Sequence, residues 1–300
     1  MKLIRQLANA KEQINAVDTT GFLREISAQE LRLLQNTLLE MLLDVLAVCQ
    51  AHNIRVFLVG GTALGAVRHK GFIPWDDDID IGMPRADYER FIPAFERELS
   101  DRYILNAPNY SQTVLARFPK ILKKDSYLDD GGREDKSLCK VFLDIFIADG
   151  IPENALHRKW KGLRCNFMEF VAGQVAYFEY LDDAWKRQFQ TGARGSFFLR
   201  RFIGRLFSFR SSSKWYDSID RAVRCSADTQ LWGFPTGCKH YFGEIFPKTV
   251  FLPVRSGEFE GHTVPMVHDA DVYLKNLYGD FMQIPPPEKR QKHFVRELRL

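Results

Sequence analysis

The sequence of 300 residues contains no run of about twenty uncharged apolar residues, so it predicts no membrane-spanning helix. The first residues, Met1 to Gln6, lack the apolar core of a secretory signal. Cysteine is scarce: the chain has five, an odd number without a Cys-x-x-Cys pair, which argues against a disulfide framework. Together these absences predict a cytoplasmic protein.

Strong net charge is also lacking. The formal charge of +4 is too small to indicate nucleic-acid binding, and no nucleic-acid-binding motif is present. Internal repeats and low-complexity segments are absent as well. The composition is therefore that of an ordinary globular protein, long enough for one large or two modest domains, and no nucleic-acid partner is expected.

The most informative segment is the acidic run at residues 75–81, Trp-Asp-Asp-Asp-Ile-Asp-Ile. In a β-strand residues two apart share a face, so Asp78 and Asp80 should project together while Ile79 and Ile81 turn into the core. Two carboxylates held this close repel each other, and a divalent cation removes that cost. The pair therefore predicts a site for Mg²⁺ or Mn²⁺.

A glycine turn lies upstream of this acidic run. Residues 54–59 have the composition of a strand, and Gly60, Gly61 and Thr62 follow before a helix-compatible apolar stretch. A strand, a glycine turn and a helix N-terminus form a favourable site for phosphate, because free N–H groups and the helix dipole both attract an anion. Gly60, Gly61 and Thr62 are therefore candidate substrate-binding residues.

Positive charge lies between the turn and the acidic run, at Arg68, His69 and Lys70. These residues either contact phosphate or belong to a solvated loop, and the sequence leaves both readings open. A phosphate-binding turn followed closely by a metal-binding Asp pair is typical of a phosphoryl-transfer site.

A third carboxylate is expected from a later strand. Residues 141–147 are apolar on both faces except at Asp144, which indicates a fully buried strand with one acid that needs a partner. We predict that Asp144 is either the third metal ligand or the base that takes a proton from the acceptor hydroxyl. Asp149, just beyond this strand, is the alternative.

These motifs resemble the signature of the LicD family, a branch of the nucleotidyltransferase-fold superfamily that includes fukutin and the fukutin-related protein. The similarity rests on Val59-Gly60-Gly61-Thr62, the run AVRHKGFIPWDDDIDI from residue 66 to residue 81, and Asp144 where the family has its third acidic strand. It extends from about Leu31 to His293. Further similar positions near the end are Tyr273-Leu274, Tyr278-Gly279-Asp280-Phe281, Pro285-Pro286 and His293.

The resemblance implies a metal-dependent transfer of phosphocholine from CDP-choline to a hydroxyl of a surface glycan, of the lipopolysaccharide or teichoic-acid type. The donor would be CDP-choline or a related CDP-alcohol, and the acceptor a lipid-linked glycan. The alternatives are transfer of ribitol or glycerol phosphate, nucleotidyl transfer, or a glycan- or lipid-binding protein without catalysis. The intact acidic trio of Asp78, Asp80 and Asp144 favours an enzyme.

The expected fold is α/β, with a nucleotidyltransferase-type mixed sheet flanked by helices and a largely helical C-terminal elaboration. We divide the chain into an N-terminal extension at 1–27, a catalytic core at 28–150 and a C-terminal part at 151–300. Ser27 and Glu30 predict a capping box that opens a helix over 28–52.

Two further features concern partners. Residues 194–214 carry six basic residues among aromatic and aliphatic ones and no acid, a pattern typical of peripheral contact with an anionic membrane at the inner face. The alternative is a core helix whose arginines reach outward. Separately, Trp75 is the first candidate to hold a quaternary ammonium by cation–π attraction, with Asp76 or Asp77 adding charge complementarity.

Overall fold

The computed structural model describes residues 23–131, 136–180, 194–225, 228–290 and 293–300. Most of the predicted N-terminal extension, 1–27, therefore lies outside the described residues. The helices in chain order are α1 (Ala28–Ala51), α2 (Gly60–His69), α3 (Arg85–Glu98), α4 (Ala155–Glu179), α5 (Arg194–Phe207), α6 (Ser212–Val223), α7 (His240–Gly243) and α8 (Ala270–Tyr278).

The strands are shorter than the helices and spread along the whole chain. In order they are β1 (Arg24–Glu25), β2 (Phe57–Leu58), β3 (Asp80–Pro84), β4 (Tyr103–Asn106), β5 (Lys120–Lys123), β6 (Tyr127–Asp129), β7 (Phe142–Gly150), β8 (Leu231–Gly233), β9 (Ile245–Pro247), β10 (Arg255–Phe259), β11 (His262–Met266), β12 (Phe294–Val295) and β13 (Glu297–Arg299). Three short 3₁₀ turns lie among the described residues, at Lys136–Leu138, Lys248–Val250 and Pro287–Lys289.

Helix α1 begins as the sequence predicted. The Ser27 side chain accepts a hydrogen bond from the Glu30 N–H at 3.3 Å, and the Glu30 carboxylate accepts one from the Ser27 N–H at 3.1 Å. This capping box satisfies two N–H groups that the first turn leaves without helical partners. The helix buries one stripe, formed by Leu34, Gln35, Leu38, Met41, Leu42, Val45, Val48 and Cys49.

The main sheet is mixed, which confirms the predicted fold class. Its principal order is β10-β11-β2-β3-β7-β5-β4, and β8 pairs with the end of β7 and with β9. Strands β3 and β7 at its centre are parallel, whereas β5 is antiparallel to β7. Ile79 and Ile81 are fully buried, as expected for the inner face of the acidic segment.

The second half of the chain is largely helical, as predicted, but it also contributes to the sheet. Strand β11 pairs with β2, and β8 pairs with the end of β7. Strands from beyond residue 150, where we placed the division, therefore pair with strands from before it. Helices α5 and α6 each pack against α4. A second, smaller hydrophobic cluster forms beneath them, with Ile151, Cys165, Met168, Ala172, Ile219, Val223 and Tyr241 at its centre.

Two element bounds differ from the prediction. The strand expected over 54–59 is limited to Phe57–Leu58, and the strand expected to carry both Asp78 and Asp80 begins only at Asp80. Among the helices that the structure does describe, none combines the length and the apolar character needed to cross a bilayer.

Candidate active site

Asp80 and Asp144 are neighbours in the sheet. They lie directly opposite each other in the parallel pairing of β3 and β7, so their side chains share a face. On the other side of β7, Lys120 of β5 is opposite Asp144, and its Nζ lies 2.5 Å from the Asp144 carboxylate. Asp144 and Lys120 are both buried. The sheet register therefore brings two predicted carboxylates and one unpredicted lysine together.

The glycine turn packs directly against the acidic residues. Gly60, the first residue of α2, has a φ of +54°, and a Cβ there would collide with the Asp80 carboxylate. A Cβ at Gly61 would lie 2.8 Å from the Asp76 carboxylate. Only glycine combines this backbone conformation with this close approach. The positive end of the α2 dipole thus faces two carboxylates.

Thr62 and Tyr273 hold the turn in place. The Thr62 hydroxyl, which is buried, accepts a hydrogen bond from the Asp80 N–H at 2.8 Å and so ties α2 to the start of β3. The Tyr273 hydroxyl accepts one from the Gly60 N–H at 3.2 Å and lies 3.4 Å from the carboxylate of the buried Glu244. In this structure Thr62 therefore positions Asp80. Its predicted contact with phosphate stays a prediction.

The carboxylates of this cluster repel one another. Desolvation raises the pKa of Asp80 well above its ordinary value, and Asp78, Asp144 and Asp76 raise it further, while Lys120 opposes them. Desolvation likewise raises the pKa of Asp76, together with the charges of Asp78 and Asp77. Crowded carboxylates of this kind are hard oxygen donors that a divalent cation would relieve. The residues present therefore fit a magnesium or manganese ion.

A second acidic group lies at the edge of the cluster. Ligand atoms of Asp76, Asp77 and His293 lie within 4.8 Å of one another, and His293 Nδ1 is 2.7 Å from the Asp77 carboxylate. Among the described residues the predicted trio of Asp78, Asp80 and Asp144 does not converge as tightly. Asp77 thus turns toward the C-terminal segment, while Asp76 is shared between the two groups.

Trp75 already carries a cation in this structure. The guanidinium of Arg290 lies over its ring, 4.3 Å from the centroid, and Arg290 Nε donates to the Pro285 carbonyl at 3.1 Å. The edge of the Trp75 ring meets His69 at 6.4 Å between centroids. Trp75 is half-buried, and the position over its π face is occupied by the Arg290 guanidinium.

The three predicted basic residues lie at the C-terminal end of α2, away from the glycine turn. Arg68 donates to the Phe281 carbonyl at 2.8 Å and to His69 Nε2 at 2.9 Å. Burial lowers the pKa of His69, and the charge of Arg68 lowers it further. Lys70 is exposed and has a left-handed conformation with φ of 59°. The structure thus gives Arg68 a role in holding the segment after α8, and a role in phosphate binding stays a prediction.

Asp149, the alternative to Asp144, lies elsewhere. Both of its carboxylate oxygens accept hydrogen bonds from Arg85, at 2.9 and 2.7 Å, and Arg85 also pairs with Asp220 at 2.8 Å. This buried ion-pair network connects α3 and α6 to the far end of β7. Asp149 is therefore held in an ion-pair network away from Asp80, whereas Asp144 lies beside Asp80.

One segment of the chain matches a known family model. Residues 53–129 match the LicD/FKTN/FKRP nucleotidyltransferase domain. That segment is similar to a LicD-family domain. The matched region contains the glycine turn, the acidic run and Lys120, and it ends before Asp144. The resemblance inferred from the motifs is thereby confirmed.

Individual relatives extend the match beyond this domain. The lipopolysaccharide cholinephosphotransferase LicD of Haemophilus influenzae is 28% identical over 268 residues, which cover 84% of this chain and 91% of that protein. Human ribitol 5-phosphate transferase FKRP is 49% identical over 39 residues, 13% of this chain and 8% of that protein. An uncharacterized protein of Rickettsia prowazekii is 39% identical over 64 residues, 20% of this chain and 24% of that protein.

Sequence reasoning missed several residues around this LicD-type site. Lys120 is a lone lysine in an apolar strand, and that isolation was the available signal. Glu244 gave no local signal, because it meets Tyr273 only through the fold. Tyr278, by contrast, was already among the positions of the resemblance, and desolvation and the charges of Asp80 and Asp76 raise the pKa of its hydroxyl.

Proposed function

We propose that this protein transfers a phosphorylated small alcohol from a CDP-activated donor to a hydroxyl group of a glycan, and that the alcohol is choline. The proposal is supported chiefly by one observation: Asp80 and Asp144 share a face between Lys120 and the glycine turn of α2. The similarity to the Haemophilus enzyme, whose name states a cholinephosphotransferase acting on lipopolysaccharide, supports the substrate class.

Asp78, Asp80 and Asp144 would hold Mg²⁺ or Mn²⁺, with Asp76 beside them. When bound, the ion supplies positive charge that offsets the charge developing on the departing CMP. Gly61 at the N-terminus of α2 would present its backbone N–H to the donor phosphates beside Asp76, because glycine has no side chain of its own there. Thr62 and Tyr273 keep this end of the helix in register with Asp80.

The same carboxylate cluster would also activate the acceptor hydroxyl. Asp144 either completes the ligand set or takes the proton from the glycan hydroxyl that attacks the donor phosphorus. Lys120, at 2.5 Å, compensates the charge of Asp144 and fixes its orientation. In the step itself, a new oxygen–phosphorus bond forms to the glycan as the bond between phosphorus and the CMP oxygen breaks.

Recognition of choline would rest on Trp75. A quaternary ammonium has no N–H to donate, so an aromatic face is its best partner, and attraction reaches about 2 kcal/mol when the cation is desolvated. The Arg290 guanidinium over this ring indicates that the face attracts a cation in its present surroundings. Choline would compete with Arg290 for that position.

One specific observation favours a second candidate. Human FKRP, whose name states a ribitol 5-phosphate transferase, is 49% identical over its short matching segment. Ribitol phosphate is therefore the first alternative, ahead of glycerol phosphate, nucleotidyl transfer and a non-catalytic glycan- or lipid-binding protein. A glycan presented on a lipid carrier would serve as acceptor in either case.

A thermal-shift screen distinguishes these candidates. The wild-type protein is heated with CDP-choline, CDP-ribitol, CDP-glycerol or CDP-ethanolamine, each with and without Mg²⁺. A donor at a hundred times its dissociation constant stabilises a protein by about 2.7 kcal/mol. We expect the largest rise in melting temperature for CDP-choline with Mg²⁺. A larger rise in melting temperature with CDP-ribitol would favour ribitol phosphate as the transferred group. No rise with any donor would refute the proposed function.

A further inference from the structure

Helix α4 exposes an apolar stripe from Leu156 to Phe170. Its members recur every three or four residues, so they share one face of the helix. They are Leu156 at 71%, Trp160 at 74%, Leu163 at 49%, Phe167 at 55% and Phe170 at 40% exposed. The opposite face of α4 packs on the smaller core through Cys165, Met168 and Ala172. Helix α4 is therefore apolar on two sides, and only one of them is buried.

Helix α5 exposes a second stripe. Phe198, Phe202 and Leu206 are 57%, 67% and 62% exposed, and Phe209 just beyond the helix is 72% exposed. The buried side contains Phe197 and Gly204; a Cβ at Gly204 would collide with the backbone of α4 at Gln174. Three apolar residues of α5, Phe198, Phe202 and Leu206, are thus exposed to solvent, whereas Phe197 is buried.

Ring contacts through Phe207 connect the two stripes. Phe167 of α4 meets Phe207 of α5 edge to face, with 6.3 Å between centroids. Phe207 in turn lies 6.3 Å from the ring of Phe209. A surface of nine large, exposed apolar side chains on two packed helices is unusual for a protein surrounded only by water.

Positive charge borders this surface. Arg201 and Arg205 are exposed on α5, whereas Arg200 of the same segment is buried. A cleft of about 830 Å³ between α4 and α6 opens beside the stripe and shares Trp160 with it. The charged residues that line this cleft are all basic, and Trp215 adds a second indole; the basic set is Lys161, Arg164, Arg210, Arg221 and Arg224, with His157.

We propose that the exposed faces of α4 and α5 form one docking surface for an anionic lipid bilayer, with a lipid phosphate entering the cleft between α4 and α6. The phenylalanines and Trp160 would lie at the boundary of head groups and acyl chains, where aromatic and aliphatic side chains gain most from leaving water. The bordering arginines complement a negative surface. This proposal does not depend on the proposed function.

Several cations in the cleft already have neutral partners that a phosphate could replace or share. Arg210 donates to the Ser218 hydroxyl at 2.7 Å and lies over the Trp215 ring at 5.2 Å. Arg221 donates to Ser218 at 3.2 Å. Arg224, by contrast, pairs with Asp220 and Glu89, so it is committed to the fold. Arg210, Arg221 and Arg164 are thus the side chains best placed to hold a phosphate.

Vesicle co-sedimentation of the full chain tests the proposal. Vesicles of phosphatidylcholine alone are compared with vesicles that also contain about 30% phosphatidylglycerol, at low and at high salt. We expect binding to the anionic vesicles, weakened by salt and at least about tenfold weaker without phosphatidylglycerol. If the wild-type protein does not bind anionic vesicles at low salt, the proposal is overturned.

Matched variants locate the surface. The triple change Phe198→Ser, Phe202→Ser and Leu206→Ser should weaken binding at least about tenfold, because each of these side chains is more than half exposed and would leave water on contact with the bilayer. The control is Leu33→Ser, Val254→Ser and Val272→Ser, three exposed apolar residues elsewhere, and it should bind as the wild type does. Equal binding by the two triple variants would refute the assignment of this surface.

Charge variants and the oligomeric state distinguish two possible occupants of this surface, the bilayer and a second copy of the chain. Arg201→Glu with Arg205→Glu, and separately Arg164→Glu, should reduce the preference for anionic vesicles while leaving the melting temperature unchanged. Sedimentation velocity of the wild type gives its oligomeric state without lipid. The proposal would be overturned if the wild type were a dimer, the Phe198, Phe202 and Leu206 variant were a monomer, and the wild type did not bind vesicles. The surface would then be assigned to contact with a second copy.

Discussion

Asp80 and Asp144 occupy opposed positions on the parallel strands β3 and β7, although 63 residues separate them in the chain. The pairing sets both carboxylates on one face, and Lys120 from the antiparallel neighbour β5 lies against Asp144. The glycine turn of α2 closes the other side at Asp80. Three separate parts of the sequence thus build one charged cluster through sheet register.

The first prediction concerns removal of charge from this cluster. Asp80→Asn and Asp144→Asn should each lower turnover by more than about a hundredfold, because each removes a ligand of the proposed metal. Asp80→Asn should also raise the melting temperature in the presence of a chelator, since the repulsion that raises the pKa of Asp80 is gone. Steady-state rates and thermal unfolding measure both effects. Asp101→Asn, an exposed acid elsewhere, is the control, and retention of activity in either variant would contradict the assignment.

The second prediction distinguishes Asp144 from Asp149. Asp149→Asn should lower the free energy of unfolding by about 3 kcal/mol, because it leaves the buried Arg85 charge without its bidentate partner. The folded variant should keep kcat/KM within about threefold of the wild type. Chemical denaturation and initial rates provide the two values. A stable but inactive Asp149→Asn protein would return the catalytic role to Asp149.

The third prediction concerns the glycine turn. Gly60→Ala should destabilise the protein and reduce activity, because the residue has a positive φ and a Cβ would collide with the Asp80 carboxylate. Gly173→Ala is the matched control: it lies inside α4 with nothing within 4 Å of the added Cβ. That change should stabilise the protein by about 0.5–1 kcal/mol. If the two variants unfold at the same temperature, the inference that the turn packs closely against Asp80 is wrong.

The fourth prediction concerns donor choice at Trp75. Trp75→Ala should reduce the preference for CDP-choline over CDP-glycerol by about tenfold, because it removes the aromatic face. Arg290→Gln should increase that preference, because the competing guanidinium is gone while the Pro285 contact can be kept. Competition kinetics with the two donors measures the ratio. If Arg290→Gln instead weakens the use of both donors equally, the result would indicate that Arg290 contacts the diphosphate that the two donors share. It would contradict the assignment of Trp75 to choline.

Much of the cluster follows from local pattern. Asp80 and the buried Ile81 lie in β3 as strand alternation predicted, although Asp78 and Ile79 precede that strand, and the lone acid in the apolar strand β7 pointed to Asp144. Both inferences need only the periodicity of a strand. The register that sets Asp80 opposite Asp144 depends on how the strands pair, and strand pairing lies beyond any single segment.

The remaining features depend on contacts between distant segments. Glu244 reaches the site only through Tyr273, and Arg290 reaches Trp75 from the C-terminal segment. The exposed stripe of α4 could not be predicted either. Apolar residues occur on two faces of that helix, and periodicity does not tell which face is covered. Likewise, nothing local to β10 and β11 indicates that they extend the sheet next to β2.

The most direct test of the proposed function is phosphorus NMR of the wild-type protein with CDP-choline, Mg²⁺ and a lipopolysaccharide acceptor. We predict that CMP appears together with a phosphodiester signal on the glycan, that a chelator stops both, and that Asp144→Asn with Mg²⁺ produces neither. Formation of the same products by Asp144→Asn, or of CMP at an equal rate in the presence of the chelator, would contradict a metal-dependent transfer at the Asp80 and Asp144 cluster.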